Sequence, residues 1–284
     1  MTSFTIADTE LDGIKDQAAI IAGASSGIGL ATLRRVIKHG GRVFACDLNP
    51  LPEPEASSVP FMKVDVTSWD NQLALFKAVE QKYKKIDRVV ANVGVGIGVA
   101  LLEDDVDDNA NLLPPKLDTF NVNLVGVMYS VKLGLHYLKK NLGGGSIIMT
   151  SSVASFTPVP SPDYTVASSQ KLPIRMDVLA PSWTDIPIMS PELNAMIGDK
   201  VQSPDVIGRS AVLLMLDKER HGDMLFGQDG KFLDLEKWRE RIPCIHAQDS
   251  SYCKSGDIAG GCTGAAGVWV DVNPSGLCWH PGVL

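Results

Sequence analysis

Ala22-Gly23-Ala24-Ser25-Ser26-Gly27-Ile28-Gly29 decides how this chain folds. An apolar run, Ala18-Ala19-Ile20-Ile21, precedes it, and a helical pattern over 30–39 follows. The order strand, glycine turn, helix predicts a phosphate-binding crossover. Glycines there let backbone N–H groups approach a pyrophosphate, and the helix N-terminus adds positive partial charge. The spacing is GxxxGxG rather than the general GxGxxG. Tight turns need glycine for their own sake, so the motif does not stand alone.

Asp47 adds weight. It closes a second apolar run, Arg42-Val43-Phe44-Ala45-Cys46, 24 residues after Gly23. A carboxylate there can accept hydrogen bonds from adenosine ribose hydroxyls and would repel a 2′-phosphate. No Lys or Arg lies in the glycine turn or between Asp47 and Pro60. NAD is therefore favoured, with NADP not excluded. The competing reading is that Asp47 caps a turn before Asn49-Pro50.

Strands and helices alternate beyond this point. Strands are expected at 59–65, 86–92, 146–150 and 174–180, with a helix at 71–84 whose Leu73, Leu75, Phe76 and Val79 share a face. A Gly- and Asp-rich loop spans 93–115, and a long helix is expected over 117–142, closed by Gly143-Gly144-Gly145. This alternation predicts an α/β fold, a doubly wound, Rossmann-like parallel sheet with helices on both faces. Ligands then bind beyond the carboxyl ends of the strands, where Gly27, Asp47, Asn92 and Ser152 fall.

The domain expected is 1–242, followed over 243–284 by an irregular Cys- and Gly-rich tail. Cys46 reads as a buried small hydrophobe. Cys244, Cys253, Cys262 and Cys278 are spaced 9, 9 and 16 apart, without a CxxC knuckle, so no metal site is expected even with His246 and His280 nearby. A net charge of −7 argues against a nucleic-acid surface. The first 16 residues lack a signal pattern and no run approaches 18 apolar residues, so no membrane contact and a cytoplasmic location are expected.

With these residues placed, the chain resembles the classical short-chain dehydrogenase/reductase family over roughly 11–238. Ala22 to Gly29 resembles TGxxxGIG, and Asp65-Val66-Thr67 the segment whose aspartate meets adenine. Ala91-Asn92-Val93-Gly94 is similar to NNAG. Asn121-Val122-Asn123-Leu124 resembles the helix segment with the family's asparagine, Asn123. Ser151-Ser152 followed by Tyr164 resembles the Ser…Tyr pair. Ala180-Pro181-Ser182-Trp183-Thr184-Asp185 is similar to the PG-containing loop, with Ser182 in place of glycine.

The resemblance implies hydride transfer between a nicotinamide and a secondary alcohol or ketone. Tyr164 would exchange the hydroxyl proton, Ser152 would hold the oxygen, and Asn123 would support a water-mediated proton path. Gly23, Ser26, Gly27, Ile28, Gly29, Asp47, Asp65, Asn92, Tyr164, Pro181 and Thr184 would hold the dinucleotide. Residues 186–203 are placed like a substrate-covering loop. Family members pair through helices flanking the sheet, so a homo-oligomer is compatible with the resemblance.

One part of the pattern is missing. Tyrosine titrates near 10 in water, and acid–base work near neutrality asks for about three units of help. The family draws it from a lysine four residues on, and here that position is Ser168. Lys171 lies seven on, and Leu172-Pro173 discourages further helix. Judged by the resemblance, some 18 residues of helix are absent. Losing five buried apolar side chains with it would cost roughly 7–15 kcal/mol, comparable to a whole domain's stability. Coding sequence lost from a gene product is the favoured explanation. The alternative is a nucleotide-binding protein without turnover.

Overall fold

A computed structural model describes residues 3–96, 106–152, 174–189, 191–235, 268–273 and 276–281. Ten strands are named in it. Eight of them form one sheet: β1 (Ala18–Ala22), β2 (Arg42–Asp47), β3 (Phe61–Lys63), β4 (Arg88–Ala91), β5 (Gly145–Thr150), β6 (Ile174–Pro181), β7 (Met224–Gln228) and β8 (Lys231–Asp234). Their order is β3-β2-β1-β4-β5-β6-β7-β8. All neighbours are parallel except β7 and β8, which form an antiparallel hairpin at the edge. The order reverses between β1 and β4, which opens a crevice at their carboxyl ends.

The named helices are α1 (Gly27–Lys38), α2 (Glu55–Ser58), α3 (Trp69–Tyr83), α4 (Asp118–Phe120), α5 (Val127–Leu138), α6 (Pro191–Ile197) and α7 (Pro204–Leu216). They take opposite faces of the sheet because strand side chains alternate. In β1, which is buried throughout, Ala19 and Ile21 join Leu33 and Val36 of α1 and Ile207, Ala211 and Leu214 of α7. Ile20 and Ala22 face the other way, toward Leu75, Phe76 and Val79 of α3 and Val131 and Leu138 of α5. The small residues matter for spacing. A β carbon on Gly208 of α7 would stand 2.9 Å from the backbone of Ala31, so that glycine sets how closely α1 and α7 approach.

The expected strands and helices are present, with ends moved by one to three residues. The helix expected over 117–142 departs most. It begins at α4, loosens into a π-helical turn over Asn121–Gly126 and resumes as α5. Within the stretch expected to be irregular, β9 (Val268–Asn273) and β10 (Gly276–Pro281) pair as an antiparallel hairpin. The residues Ser3–Leu235 make up a separate compact unit.

A polar row crosses the sheet at its amino-terminal edge. Arg88 of β4, Ser146 of β5 and Arg175 of β6 are register partners on adjacent strands. Arg175 donates to the carbonyls of Leu214, Met215 and Asp217, which closes the α7 C-terminus with positive charge. Asp177 lies two residues on, fully buried, with Oδ1 accepting from the Asp223 N–H. Burial pushes its carboxyl up to about 6, and neither that bond nor Arg175 nearby overcomes the desolvation.

The sign of the pH effect follows. A carboxyl with a folded pKa near 6 and an ordinary unfolded one favours folding in its protonated form, so ionisation weakens the fold as pH rises through about 6. Asp177→Asn should therefore raise the melting temperature by several degrees at pH 8, corresponding to roughly 2–3 kcal/mol. The gain should fade to nothing near pH 4. Paired thermal melts of wild type and variant across that range test this, and an equal gain at both ends would contradict it.

Candidate active site

The glycine turn is held by contacts that leave no room for side chains at its glycine positions. Gly23 and Ala24 both donate to the Cys46 carbonyl at the end of β2. Gly23 (φ +72°) and Gly27 (φ +51°) occupy the left-handed region that favours glycine. A β carbon on Gly29 would stand 1.9 Å from the Gly23 carbonyl oxygen and 2.9 Å from Asn92 Nδ2. The Ser26 hydroxyl makes no cap hydrogen bond to α1, so the first-turn N–H groups of Gly27, Ile28 and Gly29 are available to an anion.

Asp47 meets this turn from the next strand. Its Oδ2 accepts from the Ser25 N–H at 3.1 Å and its Oδ1 from the Asn49 N–H at 3.0 Å. Both readings of Asp47 are thus compatible, because a carboxylate offers about four lone-pair sites and these bonds use two. The Ser25 hydroxyl donates to the Asn49 carbonyl and closes the corner. Asp65 is exposed at the end of β3, with Oδ1 accepting from the Thr67 backbone and hydroxyl. These donors and acceptors, bare amides facing a helix axis with a carboxylate beside them, fit a dinucleotide.

Two asparagines order the far side of the crevice. Asn92 Oδ1 accepts from the Thr150 hydroxyl at 2.8 Å, which ties the end of β4 to the end of β5. Asn123 sits in the π-helical turn. Its Oδ1 accepts from the Val95 N–H at 2.9 Å and its Nδ2 donates to the Val95 carbonyl at 3.1 Å. The amide therefore clamps the loop after β4 against the helix, 28 residues away in sequence. A π turn widens the helix and is frequent at functional positions. Ser152 is exposed just beyond β5, one strand from Asn92. Pro181 is buried where β6 pairs with Gly227 of β7.

Thr184 follows the end of β6. Thr184 is 2% exposed. Its hydroxyl donates to the Ser182 carbonyl and accepts from Gln202 Nε2, so its polar atom is spent within the loop. Ile186 takes the place above the turn, with Cγ2 2.9 Å from where a β carbon on Gly27 would be. Thr150 escaped the sequence reading as a partner of Asn92, and Ile186 and Gln202 were read only as part of the loop over 186–203. Tyr164, Ser168 and Lys171 lie outside the described residues. Cys46 is 1% exposed, as expected, and burial pushes its thiol well above the ordinary range. Among the described residues no helix is long and apolar enough to cross a membrane.

A parallel sheet with this strand order, a glycine turn on a helix N-terminus and an acidic residue ending β2 define a Rossmann-type nucleotide-binding α/β protein. The short chain dehydrogenase family matches residues 17–171. The short-chain dehydrogenase/reductase ascJ of Acremonium egyptiacum is 35% identical, covering 84% of this chain and 86% of its own. A 5′-hydroxyaverantin dehydrogenase of Dothistroma septosporum is 26% identical over 81% and 90%. In fold, the NADPH-dependent 3-quinuclidinone reductase of Rhodotorula rubra aligns at TM-score 0.63 and 20% identity, covering 81% of this chain and 96% of its own. The chain belongs to the short-chain dehydrogenase family and is an NAD(P)-dependent oxidoreductase.

The crowding at Gly29 can be tested directly. Gly29→Ala forces the Gly23 carbonyl to move, and overpacking of this kind costs about 1–3 kcal/mol. The variant should melt several degrees lower and bind NADH at least about tenfold more weakly. Fluorescence titration with NADH beside a thermal melt reads both, and unchanged affinity would contradict the geometry.

Proposed function

We propose that this chain oxidises a secondary alcohol, or reduces the matching ketone, and uses NAD in preference to NADP. The observation that carries the reading is the convergence of the glycine turn, Asp47, Asn92, Asn123 and Ser152 on one crevice at the carboxyl ends of β1, β2, β4 and β5. Relatives named as hydroxyl dehydrogenases support the reaction class.

When bound, the nicotinamide supplies the hydride acceptor. The chain's own residues do the rest. Gly23, Ser26, Gly27, Ile28 and Gly29 present amides to the diphosphate. Asp47 and Asp65 take the adenosine end, and Asn92 and Pro181 shape the walls. Ser152 and Tyr164 hydrogen-bond the substrate oxygen, and Tyr164 takes its proton as the alcohol is oxidised. Asn123 holds the loop between cofactor and substrate. Thr184 braces the loop after β6, on the cofactor side, from within. In this reading the catalytic domain is 1–242, the tail 243–284 is an appendage, and the protein is cytoplasmic. Ser168 cannot supply the charge that a lysine would, so turnover is slower than in a member with the complete triad.

Two measurements test the proposal. Tyr164→Phe should lower kcat at least about a hundredfold on a panel of secondary alcohols and leave NADH affinity within twofold. Equal turnover in the variant would remove Tyr164 from the chemistry. Asp47→Asn removes the charge and keeps an acceptor for the turn, so the ratio of NADPH to NADH affinity should rise about tenfold. A ratio that stays put would leave Asp47 as a turn cap alone.

A further inference from the structure

Ile188 lies on the Gly94 loop opposite Asn123. A β carbon on Gly94 would be 3.7 Å from Asn123 Oδ1 and 3.7 Å from Ile188 Cδ1. Gly94 therefore sits in van der Waals reach of both a polar amide and an apolar tip. The Ile188 carbonyl passes 3.9 Å from the corresponding position on Gly96. The segment thus leans on the nucleotide turn through Ile186 and on the loop after β4 through Ile188. The Thr119 hydroxyl donates to the Gly96 carbonyl, which brings the start of α4 to the same loop.

Two apolar side chains beside Asn123 are exposed, Val95 at 40% and Ile188 at 48%. Val95 bonds the Asn123 amide through its backbone, and Ile188 reaches the adjoining Gly94, so both flank the same amide. Among the described residues, the stretches 93–96, 117–123 and 184–189 contain no Lys or Arg, and they contain two carboxylates, Asp118 and Asp185. Lys116 is the nearest cation along the chain, and Asp118 lies two residues from it. In these described stretches an anionic substrate meets two carboxylates and no lysine or arginine.

We propose that Ile188, with Val95, sets substrate choice. The mouth takes an uncharged ketone or secondary alcohol with an apolar arm of several carbons, and it discriminates against carboxylate-bearing analogues of equal length. This rests on the oxidoreductase site proposed above. Ile188 is a specificity residue, and proton transfer does not involve it.

The test measures binding, so it does not depend on turnover. Competition at the NADH complex is followed by NADH fluorescence for 2-butanone, 2-hexanone, 2-octanone and 5-oxohexanoate. Affinity should rise about two- to fourfold per methylene along the ketones. 2-Hexanone should bind at least tenfold tighter than 5-oxohexanoate. Ile188→Asn should flatten the length dependence of binding, Ile188→Leu should retain it, and both should bind NADH like wild type. A flat length series, or an anion bound as tightly as 2-hexanone, overturns the proposal. Graded ketone binding without hydride transfer supports it and counts against the reaction alone.

Discussion

The contact between Gly29 and the Gly23 carbonyl is the constraint on which the site depends. No residue with a β carbon can stand at position 29 in the first turn of α1 while the chain leaves β1 at this angle. The tightness fixes the helix axis toward the crevice, and with it the direction of the unpaired N–H groups. It also places Asn92 beside the turn, so the end of β4 is referenced to the same point. Asp47 adds a second brace from β2 through the Ser25 N–H. Three strand ends are thereby locked around one concavity by hydrogen bonds and the absence of side chains.

From that corner outward the crevice is held by polar links between neighbouring elements. Asn92 spans β4 to β5, and Asn123 spans helix to loop. Gln72, buried in α3, donates to the carbonyls of Val66 and Gly126 and accepts from the Ser130 hydroxyl. That network secures the far end of the π turn in which Asn123 sits. A buried amide with its groups satisfied rigidifies what surrounds it. The site is thus assembled by residues that never touch a ligand as well as by those that face one.

Much of this was legible in the residues. Apolar runs marked six strands because a parallel sheet buries both faces of each, and the glycine turn marked the nucleotide crossover. β7 and β8 escaped because Met224–Gln228 and Lys231–Asp234 are short and Gly227 interrupts the first near its end, so no period of two shows. Helix α7 carried a usable signal in Ser203-Pro204-Asp205, where the serine hydroxyl accepts from the Asp205 N–H. The π turn was illegible, since Asn121–Gly126 reads as ordinary helix and its widening is set by packing. The bonds of the Thr184 hydroxyl to Ser182 and Gln202 were not legible, because they depend on how the chain returns after the loop. The Tyr164–Lys171 stretch rests on the resemblance alone.

Arg175 gives the sheet a form of tolerance. The strand it belongs to is paired with β5 over six positions, yet its guanidinium is committed to the last turn of α7, some forty residues further along. β6 therefore takes its alignment from what comes after it as much as from what comes before. A strand anchored from downstream can keep its place while the crossover leading into it is lengthened, trimmed or exchanged. In a lineage that diversifies by remodelling such crossovers, chemistry can be lost or regained at one segment while the scaffold persists.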